Sequence, residues 1–123
     1  VIWVVVALLG AAGAIARYLT DRAIMGRLAT SAPVGTLVIN LSGSLLLGLL
    51  IGLAHRGLAT ADDVLALGDG FIGAFTTFST LTFESLALVQ TRRRLLGAAN
   101  LVGTVVVGSL LALIGLGLAG RLP

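Results

Sequence analysis

The chain has 123 residues, room for one domain, of which 58% are hydrophobic and 11% charged, and its mean hydropathy is +1.13; a soluble domain of this size needs a polar shell that such a composition lacks, so an integral membrane protein is expected. With no cysteine and one histidine, His55, disulfides and thiolate chemistry are excluded, and metal or nucleophilic catalysis is starved of ligands, so no enzyme is expected. All eight cationic side chains are arginine, and in so apolar a chain they read as loop charges that set orientation and touch lipid phosphates, not as a nucleic-acid surface.

Uncharged runs cover residues 1–16, 28–54, 70–83 and 95–120, and a helical span takes roughly 20 apolar residues. The expected fold is all-α, a single membrane domain of four transmembrane helices at about 1–20, 33–54, 62–91 and 95–120. The first segment has no basic leader and continues through Tyr18, Leu19 and Thr20, so it reads as a span and not as a cleaved signal. Trp3 suits an interfacial anchor, Gly10, Gly13 and Ala14 suit close helix packing, and "RYLTDR" closes the helix, with Arg17 snorkelling at its boundary.

Helix 2 opens at Pro33, whose missing N–H is harmless in a first turn. Thr36, Asn40, Ser44, Gly48 and Gly52 follow at four-residue spacing, along one face. Ser44, Gly48 and Gly52 read as a small-residue packing seam. Asn40 differs, because a primary amide in mid-membrane must bond another helix or face water. Thr60 with Asp62 and Asp63 then has the form of a helix N-terminus.

Helix 3 passes Asp69 and Gly70 into "GAFTTFSTLTFE", residues 73–84. Glycines cost a helix about 1 kcal/mol each and hydroxyls compete for backbone partners, so a break is expected near residues 74–78. Backbone freed at membrane depth is tolerated only against protein or a water-filled cavity, and discontinuous helices frequently bind ions. The amides of Asn40 and Asn100, the hydroxyls and the ring edges of Phe75 and Phe78 favour a small anion, whereas freed carbonyls favour a hard cation; the residues alone leave the ion open. Helix 4 carries Asn100, Thr104 and Gly108 four apart. Two polar stripes are too few to enclose a conduit, so an oligomer is expected, a two-fold dimer being the commonest form. With four spans, Arg22, Arg27 and Arg92 to Arg94 fall on one side and Arg56 and Arg121 on the other, which puts both termini outside.

Taken together, "GAAGAIARY" (10–18), "PVGTLVINLSGSLLLG" (33–48) and "GFIGAFTTFST" (70–80) resemble the Fluc/CrcB fluoride channels, in the same order and over essentially the whole chain. The resemblance implies passive fluoride export across a prokaryotic plasma membrane by an antiparallel dimer with two pores. It implies a pore asparagine at Asn40 and a pore phenylalanine at Phe78, flanked by hydroxyls at Ser79, Thr80 and Thr82. Gly73 and Thr76 match the positions whose carbonyls, from both subunits, hold a structural sodium ion. Glu84 matches the acid after the helix 3 core, Asn100 and Thr104 the polar track of helix 4, and Arg17 the arginine closing helix 1.

Two positions depart from the pattern. Leu81 stands where a second pore phenylalanine is expected, and Asp69 replaces a small neutral residue, where an acid needs a salt bridge beside an anion route. The partner is then either a second copy inserted in the opposite orientation or a paired homologous subunit, with this chain as one member of a heterodimer. A non-conducting subunit is one alternative. A small proton-coupled cation or drug transporter is another, but it needs a mid-membrane carboxylate in helix 1, and none is expected there.

Overall fold

The structure, a computed structural model, describes residues 1–121. Four helices are long and apolar enough to cross a membrane: α1 (Ile2–Met25), α2 (Val34–His55), α3 (Ala61–Gln90) and α4 (Arg94–Ala119). Among the described residues there is no strand. The turns after α1 and α3 meet at one end, where an Arg93 guanidinium N–H donates to the Ser31 hydroxyl. At the other end Arg56 donates to the Ala119 carbonyl at 2.7 Å and closes the C-terminus of α4. The two arginine-bearing loops therefore share an end, as an up-down order of four spans requires.

Glycine sets the tightest packing. Cβ atoms at Gly48 and Gly115 would collide with the Ala112 and Leu45 carbonyl oxygens, so α2 and α4 touch backbone to backbone. The same close approach joins α1 to α3, where a Cβ at Gly13 would strike the Phe71 carbonyl and one at Gly70 would lie 3.0 Å from the Val6 carbonyl. Without a hydrophobic drive between helices in lipid, such contact is what van der Waals attraction and interhelical hydrogen bonds need.

The helix α1 runs further than the sequence suggests. "RYLTDR" does not close it; helical geometry continues to Met25 and stops at Gly26. Nothing in Asp21-Arg22-Ala23 breaks a helix, and the charges simply emerge at the bundle end. Asp21 consequently belongs to helix 1, but in its last turns at the bundle end and not at mid-membrane.

The helix α3 begins with a capping box: the Thr60 hydroxyl accepts from Asp63 N at 3.2 Å, and Thr60 N donates to Asp63 Oδ2 at 2.8 Å. Val64–Ile72 is then π-helical, with the widened pitch that makes Gly73 N reach the Gly68 carbonyl five residues back. Long π stretches are rare, and this one carries Gly70, which meets α1. The break expected over residues 74–78 takes the form of a bend: Thr76 and Thr77 have extended backbone (φ −77°, ψ 159° and φ −150°, ψ 120°) before helix resumes at Phe78–Gln90. Asp69 is exposed on the π-helical stretch and makes no ion pair or hydrogen bond among the described residues, so the expected salt bridge is not found within the chain.

Candidate functional site

The interior beside the bend is polar. Thr36, Asn40, Thr77, Ser85 and Thr104 are buried, alongside apolar residues such as Ile39, Leu50 and Leu81. A span that met only lipid-like neighbours would exclude these groups, since each needs a partner at membrane depth.

Asn40 supplies the central one. Its Nδ2 donates to the Thr77 carbonyl at 2.9 Å, and Thr77 N donates to its Oδ1 at 2.8 Å. The side-chain amide thus acts as a peptide group and pairs with the backbone that the bend releases. A primary amide carries two N–H donors, so one hydrogen of Asn40 remains uncommitted, and Asn40 lines a cavity of about 350 Å³.

Thr77 also caps the second half of α3. Its hydroxyl accepts from Thr80 N at 3.2 Å and donates to Thr80 Oγ1 at 3.0 Å, with Ser79 Oγ at 3.3 Å. Because Thr77 N and Thr80 N turn to Asn40 and to this cap, the Gly73 and Thr76 carbonyls lose the donors that an uninterrupted helix would send them. Neither carbonyl accepts another hydrogen bond among the described residues, and Gly73 is exposed. Two unpaired carbonyls one turn apart are a fitting donor set for a hard cation.

Three cavities share wall residues along this region. One of about 480 Å³ opens between Ser31, Phe83, Thr91 and Arg93 and reaches Glu84. Glu84 also lines a second, of about 260 Å³, with Arg17, Asp21, Thr36, Thr77 and Thr80. Thr77 lines this second cavity and also the Asn40 cavity, whose walls include Phe78, Leu81 and Thr104. Shared wall residues therefore carry polar surface from the arginine-rich end to the bundle interior.

The remaining residues singled out from the sequence sort by what their polar atoms touch. Glu84 Oε1 accepts from the Thr36 hydroxyl at 3.0 Å, while its Oε2 is buried without a partner. Asn100 Nδ2 donates to Ser85 Oγ at 2.9 Å and lines a separate, more apolar cavity between α2 and α4. Thr104 borders both that cavity and the Asn40 cavity. Thr82 points its hydroxyl at the Phe78 and Ser79 carbonyls, so its hydrogen is committed to its own helix. Phe78 is 67% exposed and borders the Asn40 cavity, whereas Phe75 is buried, stacked on Phe71 with centroids 6.0 Å apart. Phe75 thus presents no ring edge there, unlike the sequence-based expectation. Leu81 is 2% exposed and packs under the bend, at the wall of the Asn40 cavity.

Thr77, Thr36 and Ser85 were not among the site residues read from the sequence. The signal for Thr77 lay in Asn40: an amide needing both a donor and an acceptor is best met by the one backbone unit that the bend frees.

Comparison with known proteins agrees with this layout. Residues 4–116 match the family described as CrcB-like protein, Camphor Resistance (CrcB). This chain belongs to the CrcB-like family. Among its relatives is a protein of Mycobacterium tuberculosis named fluoride-specific ion channel FluC 2, 44% identical over 114 residues, 93% of this chain and 87% of the relative. One of Moorella thermoacetica with the same name is 42% identical over 98% of each chain. A third, fluoride-specific ion channel FluC 1 of Frankia casuarinae, is 43% identical over 95% of each. As a CrcB-like protein with four apolar spans, the chain is a multi-pass membrane protein.

Proposed function

We propose that this CrcB-like chain is a fluoride channel that lets F⁻ leave the cytoplasm passively across a prokaryotic plasma membrane, as an antiparallel dimer with two pores. The relatives' names supply the ion. The observation that carries the mechanism is the Asn40 amide, pinned to the bend of α3 with one N–H left over in a cavity that shares Thr77 with a second cavity toward the arginine-rich end.

Fluoride is small and strongly hydrated, and it sheds water only where several donors replace that water at once. In this reading it enters beside Arg93, passes the Thr36, Thr80 and Arg17 surroundings, then meets the free N–H of Asn40 and the electropositive edge of Phe78. Donors that belong to neutral side chains hold an anion without trapping it, as conduction requires. Ser79 and Thr80 contribute hydroxyls around the Thr77 cap, and Thr104 and Asn100 extend the track on α4. Thr82, turned to its own helix, contributes least.

A bend read as a break in α3 gives sodium a role. The Gly73 and Thr76 carbonyls of two copies would hold it at the dimer centre, where it joins the bends and adds positive charge. The exposure of Gly73 and the missing i+4 donors support that placement. The second copy is this chain inverted, or a paired homologous subunit.

A second reading draws on Asp21 and Glu84, two carboxylates in one cavity, which suit a proton-coupled cation transporter. Arg17 in the same cavity offsets them and weighs against it. Liposomes holding only this chain decide between the two. The channel reading expects fluoride efflux, with chloride retained and no cation exchange driven by a pH gradient. Proton-driven cation movement refutes it, and absence of fluoride efflux refutes a channel made of two identical copies.

A further inference from the structure

Several hydroxyls are spent within their own helices. Those of Ser42, Thr76, Thr82, Ser85 and Ser109 each donate to a carbonyl one turn back on their own helix, at 2.7 to 3.1 Å. A hydroxyl has a single hydrogen, so these five have none left to offer a passing ion. Two others in the Asn40 cavity behave differently. Thr104 is 5% exposed, and its Oγ1 is buried with no partner. Ser44 makes no hydrogen bond among the described residues, although it sits in the same cavity wall one turn along α2 from Asn40.

Across from Ser44, α4 carries Gly108, one turn beyond Thr104. A Cβ at that position would stand 3.1 Å from Ser44 Oγ, so glycine keeps the serine hydroxyl uncovered. The four-residue spacing of Asn40 and Ser44 on α2 therefore faces that of Thr104 and Gly108 on α4, with three uncommitted donors around one space. A buried hydroxyl without a partner, as at Thr104, is uncommon and calls for an occupant.

We propose that Ser44 is an anion-binding residue of the conduction path: its hydroxyl, with that of Thr104 and the free N–H of Asn40, forms a three-donor station for a small anion. This changes the reading of Ser44 from packing seam to pore wall, while Gly48 and Gly52 keep the seam. The inference rests on the fluoride-channel reading. Ser109 provides a built-in comparison, because it lines the same cavity with its hydrogen already given to the Val105 carbonyl at 2.8 Å.

The test is fluoride efflux from liposomes containing the parent chain, Ser44→Ala, Thr104→Val or Ser109→Ala. Loss of one hydrogen bond from the bound anion lowers efflux by about three- to tenfold. Ser44→Ala and Thr104→Val should both show that loss, and Ser109→Ala should stay close to the parent. Ser44→Gly removes the same hydroxyl and serves if the alanine variant does not insert. With a conducting parent, unaltered efflux in Ser44→Ala overturns this inference alone, as does an equal fall in Ser109→Ala. A parent that passes no fluoride overturns the channel of two identical copies, and this inference falls with it.

Discussion

Replacing Asn40 by aspartate changes almost no volume and inverts the chemistry of the bend. The Thr77 carbonyl, which now accepts from Nδ2 at 2.9 Å, would face a carboxylate oxygen, and the uncommitted N–H in the cavity would vanish. Leaving a buried carbonyl unpaired costs about 1–3 kcal/mol of stability. For the ion the effect is larger. A carboxylate about 4 Å from fluoride repels it by about 4 kcal/mol at an effective dielectric constant near 20. That amount corresponds to a rate lower by roughly a thousandfold. Fluoride-electrode recording from liposomes measures it directly, with Asn40→Ala alongside to separate lost hydrogen bonds from added charge. Aspartate should slow efflux more than alanine does. If the folded Asn40→Asp protein conducted at the parent's rate, Asn40 would have no part in the path, and the assignment of its cavity to the pore would fail.

Thr77→Val removes the cap on the second half of α3 and should lower stability by about 1 kcal/mol, read as an earlier thermal transition in detergent; an unchanged transition would mean the cap is idle. Leu81→Phe restores the expected ring but must enlarge a residue that is 2% exposed, so a loss of about 1–3 kcal/mol is expected from overpacking. Unchanged stability would refute the overpacking. Exchanging sodium for a large organic cation should reduce both the dimer population and fluoride flux, because the Gly73 and Thr76 carbonyls would lose their ion. Unchanged dimer and flux in sodium-free medium would refute the cation site.

Much was legible in the sequence because lipid imposes simple rules. Long apolar stretches, the third of them interrupted by Asp69 and Glu84, point to four spans, and the two arginine-bearing loops share an end because four spans must alternate. Thr60 with Asp63 announced the α3 cap, since that motif is satisfied entirely by local backbone. Glycines four apart on α2 marked the seam with α4, because close backbone approach admits nothing larger at Gly48.

What only the tertiary structure decided is which polar groups were already occupied. Helical spacing puts Asn40 and Ser44 on one face, but it cannot say that Asn40 spends one donor and its acceptor on Thr77 while Ser44 keeps its hydrogen. Likewise Thr82, Ser109 and Thr104 are alike as letters. The first two satisfy themselves within their own helices, and the third is held by α2 and α4 packing where no carbonyl takes its proton. The end of α1 also escaped the sequence, because charged residues mark where a chain leaves lipid and not where its helix stops. A hydrogen bond needs position and direction as well as residue type. Sequence supplied the donors of this protein, and long-range packing determined which of them are free.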